Sequence, residues 1–386
     1  VGVAVVYRHN AHKSSSLVTP PFAKGPFPHY TGKIFKGQPL TSIPAALIIE
    51  KKDGLGENRM EFYATLGDPC AKRDILEKLF RAGMTGIRVN LSHTSLQKCA
   101  PLLEKLYWPA ARAAGRADAH LILDLQGPEL RVGELPRPIP LREGEDILLG
   151  DGGIPVPQSI LQTARQGQQL SIDDGTLLLE IRRSSPTVLL CRVVRGGPLL
   201  SRKSLSLLGT EVHTPTLTGD DLENLRQAGR YGTTHILQPF VRDRQDIQVL
   251  RETLDSLGLE RVQIMAKIEE QQGYGHLDEI IAAADQVCIA RGDLGNAMPL
   301  WKLPAIQKDI ARRCRERGKP FCLVTQLLWS MEQRPVPTRA EVSDIYNGVL
   351  DGASSLMLTG ETAAGKWPVQ AMEYLVRTAN EARKAV

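Results

Sequence analysis

Acidic residues are missing from the first 49 positions, where Arg8, Lys13, Lys24, Lys33 and Lys36 are the only residues charged at neutral pH. The whole chain carries a formal net charge of +5, so everything after that segment sums to zero. A neutral body excludes the extended basic surface of a nucleic-acid binder, while a local basic pocket for phosphates stays open. The six cysteines, Cys70, Cys99, Cys191, Cys288, Cys314 and Cys322, form no C-x-x-C pair and have no histidine at zinc spacing. They read as reduced thiols of a cytoplasmic protein. No apolar run approaches the roughly 20 residues of a membrane span. Neither a G-x-x-x-x-G-K-[ST] loop nor a G-x-G-x-x-G fingerprint is present, which rules out a P-loop enzyme and weighs against a dinucleotide oxidoreductase.

What is present is a chain of 386 residues, 42% hydrophobic and 24% charged, enough for one large domain and something smaller. It lacks an initiator Met, as a processed product or a piece of a longer reading frame would. Residues 1–59 are expected to be a poorly ordered extension. Their acid-free start resembles a transit peptide, but Pro20, Pro21, Pro26 and Pro28 oppose an amphipathic helix. From Met60 the pattern changes to strand, helix, strand: Glu61 to Leu66, Ala71 to Ala82, Gly86 to Leu91, then a helix over Leu96 to Ala114 and a strand over Ala119 to Leu125. The rhythm breaks over residues 132–211, where short β-rich runs with Pro and Gly predict a small antiparallel insert. It resumes over 212–386 with five more strand and helix pairs.

Three strands before the insert, within residues 60–131, and five after it make the eight that close a (β/α)8 TIM barrel, so the fold class is α/β; an open doubly wound sheet is the alternative. In a barrel the functional groups collect where strands end. Arg88, Asn90 and Ser92 follow the second strand, Asp124, Glu129 and Arg131 the third. Lys267 and Glu269 close a later strand, the next delivers Arg291-Gly292-Asp293, and the one after it Thr325-Gln326. Asp293 alone reads as a helix N-cap or a surface charge. Together, Lys267, Glu269 and Asp293 at neighbouring strand ends form a structural salt bridge or a metal-phosphate site, and the glycines flanking Asp293 favour the latter. Hard oxygen ligands and surrounding cations are what phosphoryl transfer needs. Trp108, Trp301, Trp329 and Trp367 read as packing residues, Arg339 and Glu341 as structural or subunit-interface residues.

At this point the chain resembles the pyruvate kinase family over Met60–Val386. Ala266-Lys-Ile-Glu-Glu-Gln-Gln-Gly273, Ala290-Arg-Gly-Asp-Leu-Gly295, Pro337-Thr-Arg-Ala-Glu341 and Leu358-Thr-Gly-Glu-Thr-Ala363 look like its successive motifs, as do Arg88-Val-Asn-Leu-Ser-His93, Asp124-Leu-Gln-Gly-Pro-Glu-Leu-Arg131 and Asp173-Asp-Gly175. The resemblance implies that the insert is a small β-barrel lid and that the enzyme moves a phosphoryl group between phosphoenolpyruvate and ADP, yielding pyruvate and ATP. It implies that Glu269 and Asp293 hold Mg2+ or Mn2+, and that Lys267 stabilises the transferring group. It further implies that Arg88 grips phosphate, that backbone N–H groups at Gly292 and Asp293 bind carboxylate, and that Thr325 lies on the proton route. Asn90, Ser92, Asp124 and the Leu125 carbonyl match K+ ligands, Glu129 matches the glutamate of K+-dependent members, and His93, Arg131 and Lys203 face the nucleotide.

The resemblance has departures. Gln126 replaces a lysine, Asp68 and Pro239 stand where the family has proline and serine, the lid hinge reads Ser206-Leu207-Leu208, and the family's C-terminal regulatory domain is not in the sequence. A homo-oligomer stays open; partners among nucleic acids or membranes are not expected. Two alternatives remain: a divergent metal-enolate enzyme acting on another pyruvate-like acid, and a non-catalytic sensor of phosphoenolpyruvate.

Overall fold

A computed structural model of the chain describes residues 60–386 except Asp174, Glu211, His213 and Val386. The expectations for residues 1–59 fall outside the described residues. Eight short strands share one cylinder: β1 (Glu61–Thr65), β2 (Gly86–Asn90) and β3 (His120–Asp124) come first. The strands β4 (Ile139–Leu141), β5 (Asp146–Gly150), β6 (Gln169–Ile172), β7 (Leu177–Ser184), β8 (Val188–Arg195), β9 (Gly197–Leu199) and β10 (Leu205–Leu207) lie elsewhere. β11 (His235–Gln238), β12 (Gln263–Ile268), β13 (Gln286–Ala290), β14 (Phe321–Val324) and β15 (Ser355–Met357) complete the cylinder. All its pairings are parallel, and β15 closes onto β1 through Glu61 to Ser355 and Phe62 to Leu356. Thus the closed barrel expected from the alternation is what forms, rather than an open sheet.

Alternation along each strand sorts its side chains into two cores. Outward residues such as Phe62, Ile87, Leu121, Leu123, Ile264, Ile289, Phe321 and Leu356 pack beneath the helices. Inward residues, Tyr63, Ile122, Leu237, Met265, Cys288, Cys322 and Met357 among them, fill the barrel's middle. Gly86 faces inward beside Tyr63, and a Cβ there would lie 2.7 Å from the His120 Cβ and 3.1 Å from the Tyr63 ring. Only a glycine leaves room for that ring.

The helix expected over Leu96 to Ala114 forms from Leu96 to Ala113, but it passes through a wider π turn at Leu103–Tyr107. Pro109 has no N–H for the carbonyl four residues back, and Trp108 N–H reaches instead to Leu103 O. Two short helices follow strand ends where only motifs were read, Arg291–Ala297 and Gly360–Ala363. The insert consists of separate antiparallel sheets, one in the order β10-β6-β7-β8-β5 and the other β4-β9. It has its own core of Leu170, Ile172, Leu177, Leu179, Ile181, Leu189 and Cys191. All six cysteines are free and buried, and no helix among the described residues is long and apolar enough to cross a membrane.

The packing role expected for all four tryptophans fails at two of them. Trp301 and Trp329 are 81% and 62% exposed, because each opens on a 3-10 turn outside its strand, Leu300–Lys302 and Trp329–Glu332.

Beneath the barrel's middle layer, His235 is buried with its ring edge-on to His120 at 4.9 Å. Burial, then the charge of His120, pushes its imidazole down to about 4. The folded protein therefore holds His235 neutral over a window in which the unfolded chain takes up a proton. The stability this gives is complete above about pH 6.5 and is lost as pH falls towards about 4, by about 3 kcal/mol in total. Urea unfolding at pH 7 and pH 4.5 is expected to show a smaller acid loss in His235→Gln than in the parent; equal losses would contradict it.

Candidate active site

On three strands the inward position one level above the apolar middle is charged. Two residues beyond Gly86, Ile122 and Met265 come Arg88, Asp124 and Lys267, so the same alternation that builds the core aims these three into the barrel's mouth. Asp124, buried, accepts from Arg88 Nε at 2.7 Å, and Arg88 Nη1 donates to Thr65 Oγ1 at 3.0 Å. Lys267 Nζ lies 3.6 Å from the other Asp124 oxygen and 2.7 Å from Glu269 Oε1. Glu269 is held by Phe240 N–H, which donates to Oε2 at 2.8 Å. That N–H is available because Phe240 adopts a left-handed φ of 51° at the end of β11.

Two carboxylate oxygens in this cluster, Asp124 Oδ1 and Glu269 Oε1, are buried without an aligned hydrogen bond. Lys267 is the ion-pair partner of both. Burial works against the Lys267 ammonium, but Asp124 and then Glu269 outweigh it, and its pKa is raised. Burial pushes Glu269 up to about 8 against the pull of Lys267, and Asp293 adds like-charge repulsion. A buried carboxylate whose charge is opposed by desolvation and by a second carboxylate gains from a cation placed between them. Among the described residues no three or more His, Cys, Asp or Glu side chains surround one point. Glu269 and exposed Asp293, two carboxylates that act on one another electrostatically, fit a hard divalent ion that draws its remaining ligands from substrate and water.

Two adjoining cavities open here. One, about 260 Å3, runs from Arg88 and Lys267 to Arg131 and Lys203 under the insert; the other, about 760 Å3, spreads over Thr325 towards Asp68, Cys99 and Leu102. Both are bordered by Arg88, Asn90, His93, Asp124, Lys267 and Asp293.

The family model for the pyruvate kinase barrel domain matches residues 57–372. Pyruvate kinases from Aeropyrum pernix and Mycobacterium tuberculosis are each 35% identical over 328 residues, covering 84% and 83% of this chain and 71% and 69% of the relatives. The crystal structure of Cryptosporidium parvum pyruvate kinase superposes with a TM-score of 0.79 at 29% identity, covering 85% of this chain and 71% of that one. The chain belongs to the pyruvate kinase family. It is an enzyme of the phosphotransferase class, with the family's parallel barrel and separate antiparallel sheets.

Against that family background, the insert and the loop after β3 hold their cations in ion pairs. Glu129 Oε2 accepts from Arg131 Nε at 2.9 Å, and Arg131 Nη1 donates to Arg202 O at 2.7 Å. Burial raises the Glu129 pKa in spite of Arg131. Lys203 Nζ meets Asp173 at 2.8 Å. His93 borders both cavities, its pKa lowered by burial and then by Arg131 and Arg88. Asn90 Oδ1 accepts from Ser92 N–H at 3.2 Å, a turn-closing contact that leaves the amide oxygen at the cavity edge. Leu125 lines the smaller cavity. Asp293 is the third residue of the helix Arg291–Ala297, not its cap, and Gly292 lies against Thr325, whose Cγ2 would be 3.1 Å from a Cβ there. Glu341 closes the capping box of the helix Arg339–Leu350 with Thr338, which is the structural role read for it.

One supporting residue escaped the sequence reading. Asp221 is buried in the first turn of the helix Gly219–Ala228, where it completes a capping box with Thr218. It also accepts from the N–H groups of Gln126 at 2.9 Å and Gly127 at 3.2 Å, so one carboxylate fixes both a helix start and the loop after β3. The Thr218-Gly-Asp-Asp221 pattern signals the cap, but nothing local signals the loop. Asp221→Ala is expected to cost about 3 kcal/mol, since it strands two backbone donors as well as the cap. Urea unfolding measures this; a loss within 0.5 kcal/mol, about that of an ordinary surface change, would show the loop to be held by other means.

Proposed function

We propose that the chain transfers the phosphoryl group of phosphoenolpyruvate to ADP, giving pyruvate and ATP in the direction of glycolysis, with Mg2+ or Mn2+ and K+ bound. The observation that carries this is the buried convergence of Arg88, Asp124, Lys267 and Glu269 at the barrel mouth, where one ammonium is shared between Asp124 Oδ1 at 3.6 Å and Glu269 Oε1 at 2.7 Å. Such a cluster is too costly to bury for stability alone, because a buried ion pair often contributes little net stability over apolar packing. Its cations face a cavity large enough for both substrates.

In this reading Glu269 and Asp293 hold the divalent ion, which when bound would neutralise charge on the phosphate and enolate oxygens. Lys267, kept cationic by Asp124 and Glu269, faces the migrating phosphoryl group from a site with little water, where its charge is worth most. Arg88 binds phosphate with the guanidinium edge that Asp124 orients. The N–H groups of Gly292 and Asp293 take the substrate carboxylate, and Thr325 lies on the path by which a proton reaches the enolpyruvate carbon. Asn90, Ser92, Asp124 and the Leu125 carbonyl hold K+. His93, Arg131 and Lys203 bind nucleotide, whose phosphates would replace Glu129 and Asp173 as their counterions.

The insert, residues 132–211 between barrel segments 60–131 and 212–386, then acts as a lid that excludes water. Free buried thiols accord with a cytoplasmic setting, and a homo-oligomer belongs to the same reading.

Pyruvate release from phosphoenolpyruvate and ADP, assayed with Mg2+ and with or without K+, tests the proposal. Turnover is expected to need K+ and to fall by at least about 10³-fold in Lys267→Met, the scale of a lost electrostatic contact in a transition state. Metal-dependent binding of phosphoenolpyruvate without turnover would overturn the kinase reading in favour of a sensor, and nucleotide-independent consumption of a pyruvate-like acid would favour a metal-enolate enzyme.

A further inference from the structure

Thr325 and Gln326 both follow β14 in the left-handed region, with φ of 76° and 55°. For a β-branched threonine that conformation is costly, and it persists only where surrounding contacts over-determine it. Here one side chain supplies the hydrogen bonds to the Thr325 carbonyl. Arg291 donates to Thr325 O from Nη2 at 2.6 Å and from Nε at 3.2 Å, and its Nε also lies 3.4 Å from Val324 O. Its third nitrogen, Nη1, is engaged by Asp344 on the helix Arg339–Leu350. Arg291 also opens the helix that carries Asp293, and Thr325 packs against the backbone of the intervening Gly292.

We infer that Arg291 is a positioning residue: anchored by Asp344, it clamps the strained Thr325 peptide to the start of the Asp293 helix, so that the hydroxyl of Thr325 and the carboxylate of Asp293 keep a fixed separation. This rests on the proposed role of Thr325 in carrying a proton. The inference needs arginine rather than any cation. A planar fork of donors spans a carbonyl on one edge and a carboxylate on the other, whereas an ammonium on a flexible stem can serve one of them at a time. Proton delivery should therefore depend on the clamp more than substrate binding does, because a small displacement of the donor slows the chemical step without removing any contact to substrate.

Two measurements on the intact chain decide the matter. The first is deuterium uptake into the pyruvate methyl group in heavy water with Mg2+ and K+, which follows proton transfer without phosphoryl transfer. Arg291→Lys is expected to slow it by about tenfold or more and Asp344→Asn by about threefold, while the KM for phosphoenolpyruvate stays within about threefold. The second is backbone amide exchange, expected to accelerate in both variants over residues 325–328 and to stay unchanged in the barrel strands. Unaltered methyl exchange in Arg291→Lys, or parallel falls in kcat, affinity and Tm, would overturn the inference. If the parent chain itself turns nothing over, the functional proposal fails separately, and unaltered amide exchange over 325–328 would then overturn the clamp on structural grounds.

Discussion

Asp124 stands between two cations, Arg88 at 2.7 Å and Lys267 at 3.6 Å, and the barrel mouth is organised around it. Three charged side chains at this depth each lose most of their hydration, and only mutual attraction offsets that loss. The attraction is strong because the barrel's apolar middle lies directly beneath and the insert stands above. It is also incomplete. A single ammonium, Lys267, serves one oxygen each of Asp124 and Glu269, so two carboxylates share one cation and a further cation has charge left to meet. A fully satisfied cluster would be more stable and would have less to offer a substrate.

The surrounding elements act as supports for that cluster, each reaching it through backbone rather than through another charge. Phe240 N–H holds Glu269. Asp221 holds the N–H groups of the loop that follows Asp124, and Arg291 holds the carbonyl of Thr325. Backbone groups serve well here because strand ends in a parallel barrel leave donors and acceptors without ladder partners. Positive φ values at Phe240, Thr325 and Gln326 mark where the chain bends sharply to present them. Local strain of this kind is stored by the rigid barrel, whose pairing is regular below these ends.

The barrel was legible because strand and helix alternation is a periodic signal, and the site because a barrel's strand ends are where polar residues appear in the sequence. Lys267, Asp124 and Arg88 could be gathered to one face because each stands at the end of a barrel strand. The contacts around them could not. Asp221 lies 95 positions from Gln126, and a carboxylate in a capping box looks the same whether or not it does a second job. Phe240 acts through its backbone N–H, which has no residue-type signature, and the backbone carbonyl that Arg291 grips is equally unmarked in the sequence. The tryptophan reading went astray for a related reason: Trp301 and Trp329 have the composition of core residues, but the turns that carry them leave the barrel wall facing outward.

Gly86 and Tyr63 have a consequence for traffic through the molecule. The ring that occupies the space left by the missing Cβ, together with Ile122, Leu237, Met265 and Cys322, plugs the cylinder below the charged layer. The charged pocket thus has an apolar floor. On the proposed reading, substrates and ions reach the charged layer from the insert's side of the barrel, the end away from this plug.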